Sequence, residues 1–152
     1  MRKRQPKPLA PLTSRHLGLL LAKASQRWNE NLQRHFAEAG FAQIRPAYCS
    51  ILLPLFEEDG LRIGELASRS GLSKQTLTTM VRDMEKRGLV SRRPDSRDRR
   101  ATRIMLSRKA RRFEAVAAPI LARMEQTARR KSPGATTAEL KTWLAALCEP
   151  VS

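Results

Sequence analysis

Between Leu61 and Gly88 two short segments with apolar residues at helical spacing are joined by Gly71-Leu72-Ser73, and this junction restricts the fold more than any other feature of the chain. Ile63, Leu66, Ala67 and Leu72 fit a short helix over Leu61 to Leu72 and its exit. Gly71 marks a turn. Ser73 is a natural N-cap, because its hydroxyl can accept from a free N–H in the first turn of the next helix. Leu77, Met80, Val81 and Met84 then recur at i, i+3, i+4 and i+7, so one face of that helix is buried. Gln75, Thr76, Thr79, Arg82 and Asp83 fall on the opposite face, and Gly88 ends the helix. The pattern is a helix–turn–helix, in which the first helix packs across the second and the polar face of the second projects outwards.

The flanks complete a mainly α chain with a small β-hairpin. Leu89 to Arg93 and Ala101 to Leu106 read as two short strands joined by the charged tip Pro94-Asp95-Ser96-Arg97-Asp98-Arg99-Arg100. Ahead of the helix–turn–helix, a long amphipathic helix runs from about Ser14 to Ala39 and is closed by Gly40. A second helix starts at Pro46 and reaches about Glu57, with Pro54 inside it as a kink or an early stop. After the hairpin, Ser107 can cap a long helix carrying Phe113, Val116, Ile120, Leu121 and Met124, with a bend at Pro119. A last helix starts at Thr136, where Thr136-x-x-Glu139 is a capping box, and should bury Leu140, Trp143, Leu144 and Leu147. Residues 1–12, with three prolines and four basic groups, read as a flexible basic arm that is either a solvated tail or a strap along phosphates.

Charge indicates the partner. The chain has 152 residues and a formal charge of +16, which favours a polyanion, while 41% apolar residues suffice for a packed core. The basicity is local, with twelve basic and two acidic residues between Lys86 and Arg112. A charge run is ordinarily a solvated face, but this one lies on a hairpin directly after a helix–turn–helix, where it would lower the energy of a nearby phosphate backbone and release its counterions. On the outward helix face, Gln75 can offer a bidentate amide to adenine, Arg82 can pair with guanine or phosphate, and Thr76 and Thr79 can reach base edges or a thymine methyl. Ser73 and Lys74 are better placed for phosphate. Each of the six is otherwise an ordinary exposed helix residue.

Other classes find less support. Cys49, Cys148, His16 and His35 do not have metal-ligand spacing or the count of a disulfide framework, so neither a metal nor a cofactor is expected. No phosphate-binding glycine loop, paired histidines or Ser/His/Asp arrangement stands out, and an enzyme is not expected. Leu17 to Ala22 after a basic stretch imitates a secretion signal, but its apolar stretch is too short and its helical stripe continues through Ala24, Trp28, Leu32 and Phe36. No apolar run approaches the roughly 18 residues of a spanning helix. A soluble, cytoplasmic protein with no membrane partner is expected.

Leu61-Arg62-Ile63-Gly64-Glu65-Leu66-Ala67, Gly71-Leu72-Ser73-Lys74-Gln75-Thr76-Leu77-Thr78, Glu85-Lys86-Arg87-Gly88-Leu89-Val90, and Asp98-x-Arg100 followed after five residues by Leu106-Ser107 together resemble the MarR family (multiple antibiotic resistance regulators). The specific match spans roughly residues 61–107. The resemblance implies a winged helix–turn–helix lobe over residues 46–107, with dimerisation helices contributed by residues 13–45 and 108–152. It further implies a homodimer that sets two recognition helices into successive major grooves of double-stranded DNA. Arg100 would enter the minor groove, Arg97 and Arg99 would grip phosphates, and Asp98 would brace the wing by pairing with an arginine. Family members generally repress promoters and release DNA on binding a phenolic or anionic effector between the dimer helices and the DNA-binding lobe; Trp28 and Cys49 are the candidate pocket residues here. Ser107 and Ala110 replace the usual Thr and Gly after the wing. Neither cysteine lies in the first helix, where the oxidant-sensing branch keeps its thiol, so both read as buried packing residues. The alternative is a non-specific architectural DNA- or RNA-binding protein, for which the charge alone would suffice.

Overall fold

The computed structural model describes residues 13–98, 100–131, 134 and 136–148. The arm at 1–12 and Arg99 at the wing tip lie outside them. The order is α1 (Leu17–Glu38), a 3-10 turn (Pro46–Tyr48), α2 (Cys49–Glu57), β1 (Leu61–Arg62), α3 (Ile63–Ser70), α4 (Lys74–Lys86), β2 (Val90–Pro94), β3 (Thr102–Leu106), α5 (Arg108–Lys131) and α6 (Thr137–Leu147). No helix among the described residues is long and apolar enough to cross a membrane.

Local signals set most of these boundaries. Gly71 closes α3 at φ +64°, which lets the N–H of Leu72 reach back to the Ala67 carbonyl at 3.2 Å. Ser73 Oγ accepts the Thr76 N–H at 3.1 Å at the start of α4. Ser107 Oγ does the same for Ala110 in α5, and the Thr136–Glu139 capping box forms in both directions at the start of α6. The segment expected as one helix from Pro46 opens with the 3-10 turn, and Pro54 is accommodated inside α2. α5 runs through Pro119 to Lys131 without a break.

One element differs in kind. Leu61 and Arg62, expected at the head of a helix, pair antiparallel with Ile104 and Arg103, so the hairpin belongs to a three-stranded sheet of order β1-β3-β2. β2 and β3 pair from Val90↔Leu106 to Pro94↔Thr102. Asp59 fastens this sheet to its surroundings: its carboxylate accepts the Leu106 N–H at 2.9 Å and pairs with Arg111 of α5 at 2.7 Å.

The core lies where α1, α2 and α5 meet the lobe. Phe36 and Phe113 are fully buried and meet edge to face with ring centroids 4.8 Å apart, and Phe41 packs on Phe113 at 5.3 Å. Leu77, Val81 and Met84 carry the inner face of α4 into the same core, together with Leu66 of α3 and Ile104 of β3. By contrast, the α6 residues expected to be buried stand open: Leu140 is 47% exposed, Trp143 43%, Leu144 38% and Leu147 52%. Amphipathic spacing marks a face for burial without naming its partner, and none of the described elements covers α6. Leu17, Leu19 and Leu20 at the start of α1 are open as well.

Candidate nucleic-acid interface

With Leu77, Val81 and Met84 buried, the period of α4 turns the opposite side to solvent. Ser73, Lys74, Gln75, Thr76, Thr79 and Arg82 are all exposed. Asp83, read from the sequence as part of this outward face, is only half-exposed and is turned to other work. Its carboxylate accepts from the Tyr48 hydroxyl and from Arg87 Nε at 3.1 Å, with Arg45 3.9 Å away. The Tyr48 hydrogen bond, followed by the Arg87 guanidinium, holds the Asp83 carboxyl below its ordinary range. Burial, reinforced by Asp83, pushes the Tyr48 phenol up. This cluster clamps α4 to the 3-10 turn ahead of α2.

A second tie runs from α4 to the wing. Arg92 of β2 sits 3.1 Å from Glu85 and donates to the Thr78 carbonyl at 3.5 Å. Lys109 of α5 donates to the Arg87 carbonyl at 3.0 Å and so caps the end of α4. Helix and hairpin are therefore held as one body.

The wing tip is organised by Asp95. It is the one charged side chain fully buried among the described residues. One carboxylate oxygen accepts from Arg62 Nε at 2.9 Å and Arg103 Nε at 2.7 Å. The other accepts the backbone N–H groups of Arg97 at 2.7 Å and Asp98 at 3.1 Å. The Arg62 hydrogen bond, then the Arg97 N–H, hold this carboxyl well below the usual carboxylate range, with Arg103 adding to the effect. Among the described residues, the arginine pairing expected at Asp98 is found at Asp95. Asp98 instead accepts the Arg100 N–H at 3.0 Å, and its carbonyl accepts the Ala101 N–H, which shapes the turn. An acidic residue can satisfy two arginines only where the fold brings them together, and Arg62 lies 33 residues away in sequence.

These pairings consume part of the basic run. Arg87, Arg92, Arg103 and Arg111 are each matched to an acid. Lys74, Arg82, Arg93, Arg97 and Arg100 are exposed and make no ion pair among the described residues. The outer side of α4 and the hairpin thus carry free cations, the sequence-expected Arg97 and Arg100 among them, and Lys86, Arg108 and Arg112 are likewise exposed without an ion pair among the described residues.

The two candidate pocket residues sit apart from this face. Trp28 on α1 and Cys49 at the start of α2 are half-buried against the core. Burial pushes the Cys49 thiol up to about 11, which keeps it protonated and unreactive near neutrality. Cys148, expected to be buried, is exposed at the end of α6. A polar cleft opens along Lys23, Gln26, Arg27, Glu30 and Asn31, and a second lies beside Leu106, Ser107, Arg108, Arg111 and Arg112; neither is lined by Trp28 or Cys49.

A helix–turn–helix carrying a braced hairpin on a three-stranded sheet defines a winged-helix protein. Comparison with known proteins agrees: the sequence profile of the MarR family matches residues 45–102. The transcriptional repressor CouR, in a structure bound to a 23-mer DNA duplex, superposes with a TM-score of 0.75 at 28% identity, over 92% of this chain and 100% of that one. The HTH-type transcriptional repressor YetL of Bacillus subtilis (strain 168) is 32% identical over 96 residues, which is 62% of this chain and 56% of YetL. The HTH-type transcriptional regulator TtmR of Methylorubrum extorquens (strain PA1) is 41% identical over 61 residues, which is 40% of this chain and 31% of TtmR. The matches therefore span less than two thirds of either curated relative. The MarR-family match thus falls on the winged helix–turn–helix segment, residues 45–102, and the fold of the chain is like that of the DNA-bound repressor CouR.

Proposed function

We propose that this chain is a transcriptional regulator, acting as a repressor, that binds a specific double-stranded DNA site as a homodimer and is released by a small effector. The observation that carries the reading is the single rigid face formed by α4 and the wing, whose inner side is tied by Arg92, Asp83 and Asp95 while its free cations point outwards. In this reading α4 enters the major groove with Gln75, Thr76, Thr79 and Arg82 towards the bases and Ser73 and Lys74 towards phosphate. Arg97 and Arg99 grip the backbone, and Arg100 enters the minor groove, where negative potential is concentrated. Asp95 takes the bracing role, with Asp98 shaping the turn.

The open apolar stripes of α1 and α6 support the dimer, since large apolar side chains clustered in the open along a helix mark an interaction site. The effector, of phenolic or anionic type, would bind between these helices and the lobe, where Trp28 and Cys49 flank the core. The test is selection of bound duplexes from a random library, followed by competition. The selected duplex should hold against unrelated duplex and structured RNA, and six to ten phosphate contacts should cost about 10³–10⁵ in affinity between 50 and 200 mM salt. Equal displacement by unrelated DNA or RNA would mean a non-specific architectural protein instead.

A further inference from the structure

We infer that Thr79 reads the 5-methyl group of a thymine, so that the centre of the half-site facing α4 is composed of A·T pairs; the inference rests on the DNA-binding role proposed above. The hydroxyl of Thr79 donates to the Gln75 carbonyl at 3.1 Å. Its neighbour Thr78 makes the same bond to Lys74 at 2.7 Å, and the hydroxyls of Thr76 and Ser73 bond each other at 2.8 Å. Thr127 and Thr142 repeat the pattern in α5 and α6, so it follows from threonine in a helix rather than from a special environment.

The consequence for recognition is specific. A hydroxyl has one proton, and the proton of Thr79 is used within α4. None is left for guanine O6 or N7, or for thymine O4. What the exposed side chain offers to a base edge is an oxygen that can only accept, as from adenine N6 or cytosine N4, and its γ-methyl group, whose apolar counterpart in the major groove is the thymine methyl. Gln75 lies one turn earlier on the same face. Among the described residues its side-chain amide takes part in no hydrogen bond, so it is free for the bidentate pairing that adenine N6 and N7 accept. A methyl and a free amide side by side match thymine and adenine in adjoining pairs.

The experiment uses the full chain and duplexes recovered from the random library, with deoxyuridine replacing thymidine one position at a time. Loss of one methyl contact should weaken wild-type binding about threefold to fivefold at one thymine per half-site and leave the others unchanged. Thr79→Val keeps the methyl and should keep that thymine-to-uracil ratio. Thr79→Ser keeps the hydroxyl but lacks the methyl, and its ratio should fall to about one. Thr79 is exposed, and melting curves report whether the variants fold. If the wild type binds every uracil duplex as tightly as its parent, or if Thr79→Ser retains the ratio, thymine reading is overturned while DNA binding stands. If no library duplex is selectively bound, the DNA-binding role fails and this inference with it.

Discussion

Asp95 accepts four hydrogen bonds, two from arginine side chains and two from the turn it precedes, and so gives the wing tip its shape. Its carboxyl titrates well below the ordinary range in the folded chain, first because of Arg62 and then the Arg97 N–H. Unfolded, it would titrate near the usual aspartate value of about 3.9. The stability it lends is therefore complete above about pH 5 and is lost as pH falls through the lower folded value. Asp95→Asn should lower the melting temperature at pH 7, and the gap from wild type should narrow as pH is taken towards 2; a gap of equal size at both ends contradicts the brace. The two thiols differ just as sharply. Cys49 is half-buried with its thiol pushed up to about 11, whereas Cys148 is exposed. A maleimide at pH 7 should modify Cys148 and spare Cys49, so Cys148→Ser should abolish fast labelling of the folded protein. Rapid labelling of that variant would overturn the assignment of Cys49 as a packing residue.

At the scale of elements, α6 makes the clearest demand. Its apolar face is open in the single chain, and a charge placed there costs the isolated chain little. Leu144→Asp should leave a folded monomer by sedimentation, and duplex affinity should fall about a hundredfold or more because the second head is no longer linked to the first. A variant that remains a dimer with unchanged affinity removes α6 from the interface. This element also shows where sequence reading stops. Its start could be read from Thr136-x-x-Glu139, because a capping box is made by residues three apart, but the partner for Trp143 and Leu144 is not encoded locally. Gly71 and Ser73 likewise declared the turn before α4, and the i, i+3, i+4 spacing of Leu77, Met80 and Val81 placed Gln75 and Thr79 outside. β1 gave no such signal. Two residues show no alternation, and Leu61 and Arg62 become a strand only when β3 lies beside them. Asp83 fell on the outward face by period, yet Tyr48, 35 residues away, claims its carboxylate. Asp95 was hidden for the same reason: its arginines come from β1 and β3, and only the closed sheet assembles them.

For the whole molecule, a formal charge of +16 says only that a polyanion is welcome. The arrangement says more, because acids pair with Arg87, Arg92 and Arg103 inside the lobe, while Lys74, Arg82, Arg97 and Arg100 lie together on α4 and the hairpin without an ion pair among the described residues. On the proposed function, α4 and the wing form one reading head, presented twice by a symmetric pair. Hydroxyl-radical footprinting of a selected duplex tests it most directly. Two protected patches centred about 10–10.5 bp apart are expected, each with a flanking minor-groove protection that disappears in Arg100→Ala while the central protection remains. A single patch, protection spread evenly along the duplex, or flanks unchanged in Arg100→Ala would contradict it.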